Sequence, residues 1–302
     1  MFPIKPYLQL VRLPNLFTAA ADSLAGWLLV RGSLDEPGRW VPLVLASVAI
    51  YAGGIVLNDV FDFEIDLAER PNRPLPSGRV SRRLAAWGGG LALASGPALA
   101  ALSGSSASLV VALILAACVL AYDAGLKRTV LGPEVMGACR GLNLLLGLSQ
   151  GIEMGGPGAW LAAGSLALFV VGVTWISRSE VETGQRGGLI AGLALENLAL
   201  SGLVAAAFAM NRQGSPIGEG RPVSPWGLLT LALLTPVLNR AIVRALRRPE
   251  PSTIQRAVKT GVLALVWLDV ALVACVRGPV EALAVASLWL PAFFLGRWLY
   301  ST

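Results

Sequence analysis

Ten apolar runs, near residues 13–30, 40–66, 82–102, 106–125, 132–152, 158–176, 187–209, 225–243, 258–276 and 280–299, take up most of this 302-residue chain. Most approach the roughly 20 residues a helix needs to cross a bilayer, and the last is short enough to be a re-entrant or interfacial piece. Hydrocarbon offers the backbone no hydrogen-bond partners, so runs of this length and number leave a helix bundle as the fold. Helix-breaking residues mark the joins, among them Pro37-Gly38, Gly278-Pro279 and the stretch from Pro71 to Pro76. With 55% hydrophobic and 14% charged residues, the chain is too apolar for an ordinary soluble domain. The expectation is an all-α bundle of nine or ten transmembrane helices around an apolar cavity, a single integral-membrane domain over residues 1–302.

The net charge of +6 does not point to nucleic acid, because the basic residues sit in short loops rather than along one face. Threading ten helices puts Lys5, Arg12, Arg70, Arg73, Arg79, Arg82, Arg83, Lys127 and Arg128 on one side of the membrane. Arg178, Arg186, Arg297 and the basic cluster from Arg240 to Lys259 join them. Only Arg31, Arg39, Arg212, Arg221 and Arg277 fall on the other side, and Arg140 lies within a run. The positive-inside rule then places the basic side, with both termini, in the cytoplasm, in an inner or plasma membrane. Cys118, Cys139 and Cys275 lie within apolar runs without metal-ligand spacing and read as small core residues. There is no histidine, which removes the usual acid–base residue. The first run contains Asp22 and lacks a convincing cleavage site, so it reads as a retained helix.

The second run ends in NDVFDFEIDLAERPNRPLPSGR, residues 58–79, where an interface anchor is expected instead of five acids. At about 100° per residue, Asn58, Asp59, Asp62 and Asp66 share an arc of roughly 100°, and Glu64 faces the other way. Carboxylates clustered in this way repel one another, so a cation is the natural completion. Oxygen donors without imidazole or thiolate suit a hard ion that keeps waters and shares phosphate oxygens, which describes Mg²⁺. Arg70, Arg73 and Arg79 are placed to grip the anion that such a metal bridges.

Asn58, Asp62 and Asp66 match the NDxxDxxxD motif of the UbiA superfamily of intramembrane prenyltransferases, and Arg73-Pro74-Leu75-Pro76-Ser77-Gly78 resembles that family's continuation. The segment from Tyr122 to Arg128 is similar to the tyrosine-then-lysine stretch after the family's fourth helix. Arg12-Leu13-Pro14-Asn15 is similar to its entry into helix one, where Asn15 either meets substrate or caps a helix. At the end of helix six the family carries a second aspartate pair, usually DxxxD. Here the chain has Thr174 to Gly184, TWISRSEVETG, with Glu180 and Glu182 instead. Two residues apart, these glutamates do not share a helix face. The wording ISRSEVETG is similar to the divergent UbiA-like branch called EboC.

The resemblance implies an Mg²⁺-dependent transferase that moves a prenyl group from a prenyl diphosphate to an unidentified small lipophilic or aromatic acceptor, with membrane lipids as further partners. The implied metal ligands are Asn58, Asp62 and Asp66, with Glu180 or Glu182 at a second half-site. Asp62, Asp66, Lys127 and Arg178 are the implied catalytic residues, and Asn15, Arg73, Arg79, Tyr122 and Arg128 the substrate-binding set, to which Arg140 is added from its mid-helix position. In this reading metal and cations stabilise charge growing on the leaving pyrophosphate, and the apolar cavity keeps water from the allylic cation. A membrane carrier, or a non-catalytic prenyl-lipid-binding protein, remains the alternative use of the same charged pocket. Asp22, Arg140, Asn143, Glu196, Asn197 and Asp269 fall mid-helix, where an acid costs roughly 2.5–3.5 kcal/mol on insertion scales. Each is expected to find a partner or a cavity, Arg140 either in an interhelical network or in an acceptor pocket.

Overall fold

The computed structural model describes residues 4–151, 156–179, 186–212 and 222–300, so Glu180 and Glu182 lie outside the described residues. A short α1 (Ile4–Leu10) leads into α2 (Leu13–Arg31), α3 (Pro37–Phe61) and a brief α4 (Phe63–Glu69). Then come α5 (Arg82–Ala101), α6 (Ser106–Ala124), a single 3₁₀ turn (Leu126–Arg128), α7 (Gly132–Leu148), α8 (Gly156–Arg178) and α9 (Arg186–Arg212). The chain closes with α10 (Pro225–Arg247), α11 (Pro251–Val276), α12 (Pro279–Ala286) and α13 (Trp289–Tyr300). Among the described residues there is no strand, and nine helical segments are long and apolar enough to cross a membrane. One of the nine combines α12 and α13 over Pro279–Leu299. Helix α7, with 17 residues, is shorter and packs inside the bundle between α2 and α8. The expected count of nine or ten therefore turns on α7, and this apolar helical bundle is an integral membrane protein.

Proline at the first helical turn opens α3, α10 and α11, where its missing N–H costs nothing. Glu250 and Thr253 form a reciprocal capping box at the start of α11. Gly32 closes α2 at φ 73°, its N–H donating to the Leu28 carbonyl. Helix ends also locate the faces of the bundle. Arg12 at the start of α2 pairs with Asp59 near the end of α3, and Gln9 Nε2 donates to the Leu299 carbonyl. At the opposite face Arg277, at the end of α11, donates to the Leu28 and Leu29 carbonyls at the end of α2. The start of α11 therefore shares a face with Arg12, Asp59, α1 and the end of α13.

Small residues let helices approach until their backbones touch, which matters in lipid because apolar burial does not drive helix against helix there. At the α2–α7 crossing, a Cβ on Gly26 would strike the Leu144 carbonyl oxygen, and one on Gly147 would strike that of Ser23. Gly137 and Gly141 of α7 press in the same way on the Ala167 and Ala163 carbonyls of α8. Polar side chains tie the same seam. Asp22 is fully buried, with Arg140 Nη2 2.6 Å from its Oδ1 and Asn143 Nδ2 donating to its Oδ2 at 2.8 Å. Arg140 also donates to the Thr18 carbonyl at 3.0 Å, and Ser47 of α3 and Asn143 both donate to the Ala19 carbonyl. Asn197 of α9 pairs with Asn239 of α10. Among the described residues, Glu196 Oε2 and Asp269 Oδ2 have no hydrogen-bond partner.

Gly26→Ala places a methyl group against backbone that cannot turn away, and is expected to cost about 1–3 kcal/mol. Gly164→Ala meets nothing within 4 Å and is expected to be neutral or to stabilise by about 0.5–1 kcal/mol through helix propensity. Thermal unfolding of both variants in one detergent checks the pair. Equal midpoints would refute the close α2–α7 contact.

Candidate active site

The acidic stretch leaves α3 almost without interruption. Asp62 sits between α3 and α4 at φ −89°, ψ 9°, yet its N–H still reaches the Asn58 carbonyl and Asp66 N–H reaches that of Asp62. The helical path thus runs on, and each acid is turned about 40° from the one four residues before it. That drift sorts them onto two sets of basic residues. Asn58 Oδ1 and Asp62 Oδ2 converge on Lys127 Nζ at 2.8 and 2.7 Å, and Asp62 Oδ1 takes a bond from Arg128 at 3.1 Å. Asp59 pairs with Arg12 at 3.0 Å, whereas Asp66 takes Arg73 at 2.6 Å with Arg70 3.8 Å away. Glu64 turns to the outside of the bundle and meets Arg82 at 3.0 Å.

The structure brings Asn58, Asp62, Lys127 and Arg128 together, and holds Asp66 with Arg73 in a second group beside them. Among the described residues no three carboxylates or thiols converge as a ready-made metal centre. Asn58 and Asp62 nevertheless fit a hard cation: two oxygens already meet at one positively charged atom, and Mg²⁺ is commonly held by one or two carboxylates plus waters and phosphate oxygens. Asp66 would join that set only by parting from Arg73. Arg178 does not point at the acids. Its Nη2 donates to the carbonyls of Lys127 and Thr129, at 3.1 and 2.6 Å, and so straps the 3₁₀ turn that presents Lys127 to the end of α8.

Two cavities lie at this site. The outer one, about 800 Å³, is lined by Arg12, Asn15, Asp59, Arg70, Arg73 and Arg79, among others. Arg79 is held there by Ser77 at 2.9 Å and the Asn72 carbonyl at 2.5 Å. The inner one, about 260 Å³, runs into the bundle past Asn58, Tyr122 and Asp123 to Tyr51, with Ile55, Val119 and Met136 on its walls. Arg12 lines both. Arg140 lines neither cavity; the structure places it in the interhelical network with Asp22, away from Lys127, because Asp22 is the acid facing it across the glycine seam.

Sequence reasoning passed over three residues that the geometry puts at the site. Arg12 is the one non-glycine residue among those described with positive φ, at 46°, and this kink between α1 and α2 aims its guanidinium at Asp59. Asp59 was on the predicted arc without a role. Asp123 is only 5% exposed, lines the inner cavity and leaves Oδ2 without a partner. An acid within the Tyr122–Lys127 segment, at the end of an apolar run, was the signal that pointed to it.

Residues 19–268 match the family model for the UbiA prenyltransferase family. Digeranylgeranylglyceryl phosphate synthase of Metallosphaera sedula is 34% identical over 145 residues, 48% of this chain and 51% of that protein. The same-named protein of Methanopyrus kandleri is 44% identical over 82 residues, 27% and 30% of the two chains. The matched segments thus span about half the length of these relatives or less. A structure of digeranylgeranylglyceryl phosphate synthase in membranes superimposes with a TM-score of 0.68 over 92% of this chain and 99% of that one, at 22% identity. A UbiA homologue from Archaeoglobus fulgidus, bound to GPP and Mg²⁺, gives 0.56 over 93% and 99% at 14% identity, a likeness of fold. With the family model covering most of the chain and the described helices in the matching arrangement, the protein belongs to the UbiA prenyltransferase family.

Proposed function

We propose that this protein transfers a prenyl group from a prenyl diphosphate to a lipophilic acceptor within the membrane, with Mg²⁺ as cofactor. The observation that carries the reading is the convergence of Asn58 Oδ1 and Asp62 Oδ2 on Lys127, beside an arginine-lined cavity that shares Arg12 with a largely apolar one. GPP and Mg²⁺ bound to the homologue from Archaeoglobus fulgidus support the donor and the metal. The name of the archaeal relatives supports a lipid product.

Bound at Asn58 and Asp62, the metal would supply Lewis-acid stabilisation of charge on the leaving group. Arg12, Arg70, Arg73 and Arg79 line the outer cavity and neutralise the diphosphate there, while Lys127 and Arg128 do so from the opposite side of Asp62. The inner cavity holds the allylic end of the donor. Its Ile55, Val119 and Met136 walls exclude water as the C1–O bond breaks and the electron pair leaves with pyrophosphate. Proton loss from the acceptor follows bond formation at C1, so a weak base suffices. Asp123 Oδ2 and the released pyrophosphate are the oxygens placed to take that proton. An unpartnered buried carboxylate oxygen also favours an acceptor whose polar end donates a hydrogen bond. Arg178 acts through the backbone it straps, as a positioning residue.

Asp62→Ala and Lys127→Met are expected to weaken Mg²⁺-dependent binding of a prenyl diphosphate, or its turnover, on the order of 100-fold. Asp66→Ala is expected to lose less, because its partner is Arg73 rather than the converging pair. Titration calorimetry and pyrophosphate release on the folded variants check this ranking, and a wild-type magnesium dependence in Asp62→Ala overturns the metal assignment. For the second half-site, Glu182→Asp should retain activity that Glu182→Gln loses, since the amide keeps size and one oxygen without the charge. If Glu180 is the ligand instead, Glu180→Gln carries the severe loss. Wild-type turnover in both glutamine variants removes this half-site. We also assign the polar face to the cytoplasm of a plasma or inner membrane: a single cysteine at Ser77, with Cys118, Cys139 and Cys275 replaced, should resist an impermeant thiol reagent added outside intact cells and react in inverted vesicles.

A further inference from the structure

A second charged recess lies on the same face of the bundle, on the outer surface where α10 meets α11 and away from the Asp62 site. It encloses about 480 Å³ between Arg240 and Arg244 of α10 and Arg256 of α11, with Thr253 and Thr260 on the α11 side. Its remaining wall is Pro236, Val237 and Ala241. All three arginines are exposed, and none of their guanidinium groups has a hydrogen bond or ion pair among the described residues. The nearby acid, Glu250, is engaged in capping α11. Three guanidinium groups from two helices therefore surround one hollow whose lining, among the described residues, contains no carboxylate.

The recess is graded along the membrane normal. Arg244, Thr253 and Arg256 sit near the helix ends, and Pro236 lies two turns of α10 deeper, about 12 Å away. Phosphate-matching donors at the interface above an apolar floor describe a molecule with an anionic head and a hydrocarbon tail. Lone positive-inside residues would be solvated singly and need no such floor. We propose that this groove binds one phospholipid with an anionic phosphate headgroup, taken from the leaflet on the polar-site side. Arg240, Arg244 and Arg256 hold the phosphate, and the acyl chain lies along Pro236 and Val237.

The test uses the full chain in detergent, with dioctanoyl phosphatidylglycerol and dioctanoyl phosphatidylcholine as probes and native mass spectrometry as readout. One phosphatidylglycerol should remain bound per chain where phosphatidylcholine does not. The triple variant R240Q/R244Q/R256Q should lower that affinity on the order of 100-fold, at roughly five-fold per arginine. R247Q/R248Q/K259Q removes the same charge outside the groove and should bind as wild type does. Equal losses in the two triples would reduce the effect to net charge and overturn the site, as would undiminished binding in the first. Inorganic phosphate competing on equal terms with phosphatidylglycerol would make the groove a free-phosphate site and overturn the lipid. Should the first triple fail to fold, Arg244→Glu alone carries the test: it should abolish selective retention, and wild-type retention overturns the proposal.

Discussion

Everything at the polar face hangs from the contact of α2 with α7. A fully buried aspartate and a guanidinium in an apolar bundle must meet, and Asp22 and Arg140 can meet at 2.6 Å only because Gly26 and Gly147 let the two backbones touch. Removing either charge would strand the other, a loss of about 3–5 kcal/mol in a buried pair. That seam fixes where α2 begins, with Arg12 and Asn15, relative to where α7 begins, just after the turn that carries Lys127. Helix α3 ends between these two points. The acids on α3 therefore find basic residues on both sides because of a polar contact several turns away inside the bundle.

The charges at that junction are unequal. Asp59, Asp62 and Asp66 are met by Arg12, Arg70, Arg73, Lys127 and Arg128, and Arg79 lines the same outer cavity. Such an excess attracts a polyanion, while paired acids beside it keep a place for a divalent cation among oxygen donors. These ion pairs are partly exposed and contribute little to stability singly. Their value is in placement: each pair holds a basic side chain at the junction, where an incoming anion would compete with the carboxylate for it. The same face carries the Arg240–Arg256 groove, so the bundle's positive residues are concentrated on one side of it.

The apolar runs gave the helices, their order and the side on which the basic loops gather, since each rests on hydrophobic length and on charge between runs. Periodicity also carried Asn58 and Asp62 onto one face and turned Glu64 away. It could not divide the arc between Lys127 and Arg73, because spacing along α3 says nothing about which neighbouring helix lies opposite each turn. Arg140 illustrates the same gap, its partner Asp22 lying far away in sequence. Arg178 was expected to face a ligand, and it faces carbonyls of a turn whose shape no periodicity reports. Helix α7 fell short of the run 132–152 because Ser149 to Gly151 leave the helix after Leu148.

Arg12 joins these threads. A non-glycine residue in the left-handed region costs of order 1 kcal/mol, and such a conformation persists only where its surroundings over-determine it. Here they do: Arg12 N–H donates to the Gln9 carbonyl, its own carbonyl accepts from Asn15 N–H, and its side chain is clamped by Asp59. The kink lets α1 turn aside along the polar face while α2 dives into the core, and it leaves a guanidinium at the one place where the outer arginine-lined cavity and the inner apolar cavity share a wall. A diphosphate in the first with its hydrocarbon in the second would have its C–O bond at that wall. The strained residue would then be the one positioned to feel charge separate, and its strain is maintained by the same acid–base pairing that gathers the rest of the site.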